Sequence, residues 1–289
     1  MTQKQILTFI AFMLECRKVK STTVSKTLSA IRTLHLIEGV DLPQLRCDRV
    51  KSILKGQANW DEEIKRNSRN VRLPVTLNVL KLLKVQLRRS KLDIKKKALI
   101  WSVSLLAFNG CLRIGEVLSK HPRVIDPENT LLKKDIWLHS KRIDGKKVEV
   151  ISLRLKSTKE SRVMTRGTVI EIYANKTDFC AVSAYKAYLE LTKKASFDSA
   201  AFRHGLGWAY ECREFNSDLK QLLQEFLPYG QISGHSFRSG MATLLAQCGY
   251  SEDIIQAVGR WSSTAFKTYI KLPALTRVRV ASKLAGLMS

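Results

Sequence analysis

The stretch GHSFRSGMATLLAQCGYSEDIIQAVGRWSSTAFKTYIK, residues 234–271, sets His235 three positions before Arg238 and runs on through Trp261 to Tyr269. On a helix, a spacing of three puts two side chains on one face, within reach of one ligand atom. Arginine presents a planar fork of donors that matches two phosphate oxygens, so the pair reads as a candidate phosphate grip. Each residue also has an ordinary reading. His235 lies between Gly234 and Ser236, a helix-start context. Tyr269 sits on a segment with Ala265, Phe266 and Ile270 among its apolar positions, limited by Pro273, where a tyrosine packs.

A second arginine raises the same question. LLAFNGCLRIGEVLSK predicts a nearly apolar helical run with Arg113 in its middle and Glu116 one turn on. A charge inside such a run is costly unless it is paired or functional. An Arg113–Glu116 ion pair at a helix surface and a functional arginine are both open on this segment alone. Lys156 and Lys159 follow at the end of VEVISLRLK and in the turn STKES, where lysines are normally solvated charges.

The elements that must position these residues are mostly helical. Residues 4–15 have apolar positions 6, 10 and 13, with 7 and 14, on one helix face. STTVSKTLSAIRTLHLIEG predicts a helix capped by Ser21 or Thr22 and stopped at Gly39, and DRVKSILKGQANWDEEIKR a third. NSRNVRLPVT, residues 67–76, is polar, basic and aperiodic, a linker. Helical patterns resume in TLNVLKLLKVQLRR and KKKALIWSVSLLAFNGCLRIGEVLSK. KDIWLHS, KKVEVISLRLK and TVIEIYA then alternate like strands, joined by the turn-like KRIDGKK and STKESRVMTRG. From Ala181 the chain is helical again. The fold class expected is mainly α with a small antiparallel β-sheet, an α+β arrangement.

Composition says what these elements meet. The 289 residues carry 50 Lys and Arg against 25 Asp and Glu, net charge +25, with the excess on both sides of the linker, so a polyanion is the natural partner. Hydrophobic content of 45% supports a core. The six cysteines lie far apart without metal-ligand spacing and read as buried thiols of a reducing compartment. ILTFIAFML is followed by ECRKVK with no small-residue cleavage site, and no stretch is long enough to cross a bilayer. The expectation is a soluble intracellular protein.

NGCLRIGE, HSFRSGMAT, and GRWSS followed by Tyr269 resemble, in order, the signature boxes of the tyrosine recombinase, or phage integrase, superfamily. TTVSKTLSAIRTLHLIEG with LKGQANW is similar to its helical, SAM-like core-binding domain, and RNVRLPVT to its linker. The wording of GHSFRSG and GRWSSTAFKTYIK most closely resembles the crypton-type recombinases of eukaryotic transposons. The resemblance implies a core-binding domain over 1–66, a linker over 67–76, and a catalytic domain over 77–289. It also implies roles. Tyr269 would attack the scissile phosphodiester, leaving a 3′-phosphotyrosyl link and a free 5′-hydroxyl. Arg113 and Arg238 would hold the non-bridging oxygens and neutralise transition-state charge. His235 would act as base or hydrogen-bond donor, and Lys159 would protonate the departing 5′-oxygen, with Lys156 as the alternative. The family usually places a histidine or tryptophan nine residues before the nucleophile. Arg260 stands there and Trp261 one residue later, so the supporting role falls to Trp261, whose indole N–H suits it, with Arg260 as the alternative.

Such a site implies no metal and no cofactor, and the 5′-hydroxyl of another strand reseals the link without ATP. The partner implied is double-stranded DNA, held by two basic domains as a clamp. The tail LPALTRVRVASKLAGLMS, with apolar residues at 275, 278, 281, 284 and 285, would dock on a neighbouring protomer in a tetramer. The protein would be DNA-associated, and nuclear if eukaryotic. Two other readings stand beside this one: a type IB topoisomerase, and a domesticated DNA-binding protein without catalysis that uses YSEDIIQAVGRWSSTAFKTYI as a helix-turn-helix.

Overall fold

A computed structural model describes residues 2–67, 73–123, 125–156, 168–192, 196–204, 207–227 and 232–269, with 65–67, 265, 268 and 269 as backbone alone. The chain divides into two compact units, Met1–Val71 and Arg72–Ser289.

The first unit is helical. Thr2 and Gln5 form a capping box that opens α1, Gln3–Ala11, and a wider turn, Phe12–Cys16, extends it. Ile6 and Ile10 face inward, joined by Val24 and Leu28 from α2, Ser21–Ile37, and by Leu42, Leu45 and Val50. Gly39, with φ +76°, ends the run after α2. The N-terminal cap of α2 differs from expectation. Ser21 is already helical, and the carboxylate of Asp61, on α3, Asp48–Asn67, accepts from both the Ser21 amide at 2.8 Å and its hydroxyl at 2.7 Å. A cap supplied from another helix leaves no trace in the local sequence.

The second unit is built on α5, Ile94–Asn109, whose buried residues, Leu99, Ile100 and Ser102–Phe108, leave almost no polar face, as a central helix requires. Asp93 caps it through the amides of Lys95 and Lys96. Around it pack α4, Leu77–Arg89; α7, Ala181–Leu191; α8, Cys212–Leu223; and α9, Gly234–Gln247. Val75, just before α4, is buried in this core and its amide donates to Ser236 O at 2.8 Å. The sheet is antiparallel in the order β1, Ile136–Ile143; β2, Lys146–Leu155; β3, Thr168–Tyr173. Its first hairpin turns on Asp144 and Gly145, both with positive φ, the two-residue geometry that matches strand twist. Strand β1 therefore runs through Ile143, further into KRIDGKK than its polar composition suggests. The mainly helical fold with one small antiparallel sheet is as the patterning predicts.

The cysteines depart from the expected burial: all six are free, but Cys16 and Cys248 are exposed, and only Cys111 and Cys180 are fully buried. No helix among the described residues is long and apolar enough to cross a membrane. The STKESRVMTRG turn lies at residues outside the described set, as does the tail beyond Tyr269.

Candidate active site

The helix expected to carry Arg113 in its middle stops short of it. At Gly110 and Cys111 the chain turns, the Cys111 φ of +48° breaks the α5 ladder, and Arg113 becomes the N-cap of a one-turn helix α6, Ile114–Val117. Glu116 reaches back from that turn. Its Oε2 accepts from the Arg113 amide at 2.9 Å and its Oε1 from Arg113 Nη1 at 3.0 Å. The ion pair read as the ordinary alternative is therefore present, although the Glu116 side chain is only 6% exposed.

Arg238 comes from the second turn of α9 and is 1% exposed. That helix lies hard against its neighbours: a Cβ on Gly240 would stand 2.0 Å from Val75 O. Arg238 Nη1 donates to Cys111 O at 3.1 Å, Nη2 to Gly259 O, and the guanidinium carbon sits 4.5 Å from the Trp261 ring centre. Its Nε is buried without a hydrogen-bond acceptor. Burial, and next the charge of Arg113, pull the Arg238 guanidinium below its ordinary pKa, with Cys111 and Glu116 opposing and Arg260 adding a smaller push.

The third arginine was the alternative reading. Helix α10, Glu252–Gly259, ends on Arg260 in the left-handed conformation at φ +54°. From there Nη1 donates to Gly110 O at 3.1 Å and Nη2 to Glu116 Oε2 at 3.2 Å. Trp261 is turned into the fold. It is 8% exposed and packs on Phe266 with ring centres 5.7 Å apart. Gly259 is required beneath it, because a Cβ would fall 1.6 Å from the indole. Phe266, Trp261, Ile255, Ala242 and Cys111 form a small core of their own, which anchors the 3₁₀ turn Thr264–Tyr269.

Three guanidiniums, from chain positions 113, 238 and 260, thus converge on the Gly110–Cys111 turn and one carboxylate, leaving two positive charges in excess. In a partly desolvated setting such an excess favours an oxyanion. His235 is exposed on the first turn of α9, three positions from Arg238 as the spacing predicts. Lys156 pairs with buried Asp135 at 2.6 Å, donates to Pro127 O at 2.9 Å, and lines a small pocket together with Glu116. Lys159 lies outside the described residues. The backbone of Tyr269 ends the 3₁₀ turn, and its side chain is outside them too. Sequence reasoning missed the second partner of Glu116 and the shared Cys111 carbonyl. Only the non-glycine residues at two chain reversals, Cys111 after Gly110 and Arg260 after Gly259, marked them.

No family model matches the sequence, and no curated protein matches it. Solved structures do. The Tn1549 transposon integrase in complex with transposon right end DNA is similar with a TM-score of 0.57 at 15% identity, covering 94% of this chain and 82% of that one. The same integrase in complex with circular intermediate DNA gives 0.52 at 13% identity, covering 97% and 83%. XerA recombinase gives 0.48 at 14% identity, covering 98% and 82%. At such identities the likeness is one of fold, and the two integrase complexes, with TM-scores above 0.5, carry it.

Proposed function

We propose that this protein is a site-specific DNA recombinase that cuts and rejoins strands through a covalent tyrosyl intermediate. The observation that carries the reading is the gathering of Arg113 and Arg260 on Glu116, with Arg238 and Arg260 on the adjacent Cys111 carbonyl, from segments far apart in sequence. The fold shared with integrase chains supports it. In the proposed reaction the Tyr269 oxygen attacks phosphorus and gives up its proton to a base, for which His235 is the candidate. The bond from phosphorus to O5′ breaks, Lys159 protonates that oxygen, and the 3′-phosphate stays on tyrosine. Arg113 and Arg238 hold the non-bridging oxygens while charge builds on them. Lys156 is already committed to Asp135, which favours Lys159 for the proton. Trp261 supports the Arg238 guanidinium from behind. No group of His, Cys, Asp or Glu suited to a metal occurs among the described residues, and the proposed chemistry uses none.

Both units are proposed to bind duplex DNA, the first as the core-binding domain, in keeping with the net charge of +25. Assembly as a tetramer with exchange of the C-terminal segment, origin in a mobile element of crypton type, and a nuclear location in a eukaryotic host remain part of this reading on the sequence resemblance alone.

The experiment is a randomised nicked-duplex library incubated with the protein in EDTA, denatured, and sequenced from the DNA that stays covalently attached. The expected result is an enriched motif that vanishes in Tyr269→Phe while DNA affinity persists. Capture without a motif would point to relaxation by a topoisomerase, and binding with no capture to a non-catalytic DNA-binding protein.

A further inference from the structure

Glu116 has two arginines on it, and only one belongs to its own helix. Oε1 is taken by Arg113 Nη1, and Oε2 is shared between the Arg113 amide and Arg260 Nη2. The local turn alone fixes this carboxylate, which is 6% exposed, only relative to Arg113 itself, through the Arg113 amide and Nη1. Arg260 supplies a restraint from a distant segment. The other arm of its fork is fixed on Gly110 O, in the turn that precedes Arg113.

The backbone is consistent with a function for that side chain. The residue after α10 is left-handed, a position that glycine fills without strain and that terminates many helices. An arginine is held there at φ +54° instead, and the contacts of its guanidinium hold it there. Trp261, the next residue, points the other way, into the Cys111, Ala242, Ile255 and Phe266 core. Arg260 therefore ties the root of the Tyr269 segment to the turn that presents Arg113.

We infer that Arg260 is a positioning residue: through Glu116 and Gly110 O it fixes the Arg113 guanidinium, and with it the register between the arginine turn and the segment that ends in Tyr269. The inference rests on the recombinase reading. It predicts that Arg260 matters to chemistry only as far as Arg113 does.

The test uses the full chain and a nicked duplex carrying the motif selected from the library, with either a phosphodiester or an uncharged methylphosphonate at the scissile position. Arg260→Ala and Arg260→Gly should bind the duplex as the wild type does and form the covalent adduct roughly 10–100-fold more slowly, by analogy with the outer-shell groups that orient metal ligands. Arg260→Gly removes the strained φ, which guards against a defect in folding. On the methylphosphonate, which has no charge for Arg113 to neutralise, the variants' deficit relative to the wild type on the same substrate should shrink. The double variant Glu116→Gln with Arg260→Ala should be no slower than the slower single one, since both act on one guanidinium. Wild-type adduct rates in both Arg260 variants, or a deficit equally large on the neutral substrate, would overturn the inference and leave the recombinase reading standing. Absence of any adduct from the wild type overturns both.

Discussion

At the scale of single residues, burial decides reactivity in a way the sequence did not announce. Cys111 lies under the arginine cluster, and burial raises its thiol to about 11 against the pull of Arg238 and Arg260. At pH 8 it is therefore a neutral thiol sealed from solvent, whereas Cys16 and Cys248 are exposed. Iodoacetamide at that pH should label Cys16 and Cys248 within minutes and spare Cys111 until the second unit is unfolded, as read by peptide mass spectrometry. Rapid labelling of Cys111 in the native protein would contradict the packing described. The spacing of His235 and Arg238, and the identity of Glu116 as a partner of Arg113, were legible in the sequence because they are local. The reach of Arg260 to Gly110 and Glu116 was not, since 150 and 144 positions separate the partners.

Among the elements, the fold was legible wherever periodicity was strong, as in α1, α5 and the three strands. It was misread where a tertiary partner acted on a local signal. The cap of α2 is such a case. Ser21 looked like a capping residue, yet Asp61 caps the helix from α3, and its carboxyl is held below the usual carboxylate range chiefly by the Ser21 hydroxyl. A depressed folded-state pKa contributes stability above the unfolded value of about 4 and loses it as pH falls through the folded value. Asp61→Asn, which keeps an acceptor but loses the charge, should therefore quicken amide hydrogen exchange in the first turn of α2 at pH 7 by about fivefold, equivalent to about 1 kcal/mol, the scale of a charge-assisted hydrogen bond over a neutral one. The difference from the wild type should begin to narrow near the unfolded value of about pH 4 and close only as pH falls through the lower folded-state value. A gap that stays constant with pH would assign the effect to packing instead. The break after α5 was missed for a related reason: apolar residues on both sides of Gly110 continue the helical pattern, and only the positive φ of Cys111 interrupts it.

For the whole molecule, composition points toward a polyanion but does not say where charge is concentrated. The second unit gathers three guanidiniums against one carboxylate, and buries one of the three to 1% exposure. Folding this unit thus compresses like charges that an unfolded chain would keep apart, and a tetrahedral oxyanion seated among them relieves the compression. The melting point then becomes a gauge of occupancy. Sulfate present at 100 times its dissociation constant would stabilise the native unit by about 2.7 kcal/mol through mass action. For a unit of this size that is a rise of roughly 5–11 °C. General salting effects act on every variant, so the informative quantity is the difference from Arg238→Ala, in which the specific rise should disappear. Equal shifts in the two proteins would mean that the cluster does not take up the anion. By this account the protein is least stable when its site is most ready, and on the proposed function the phosphate of a bound DNA would contribute to holding the fold together.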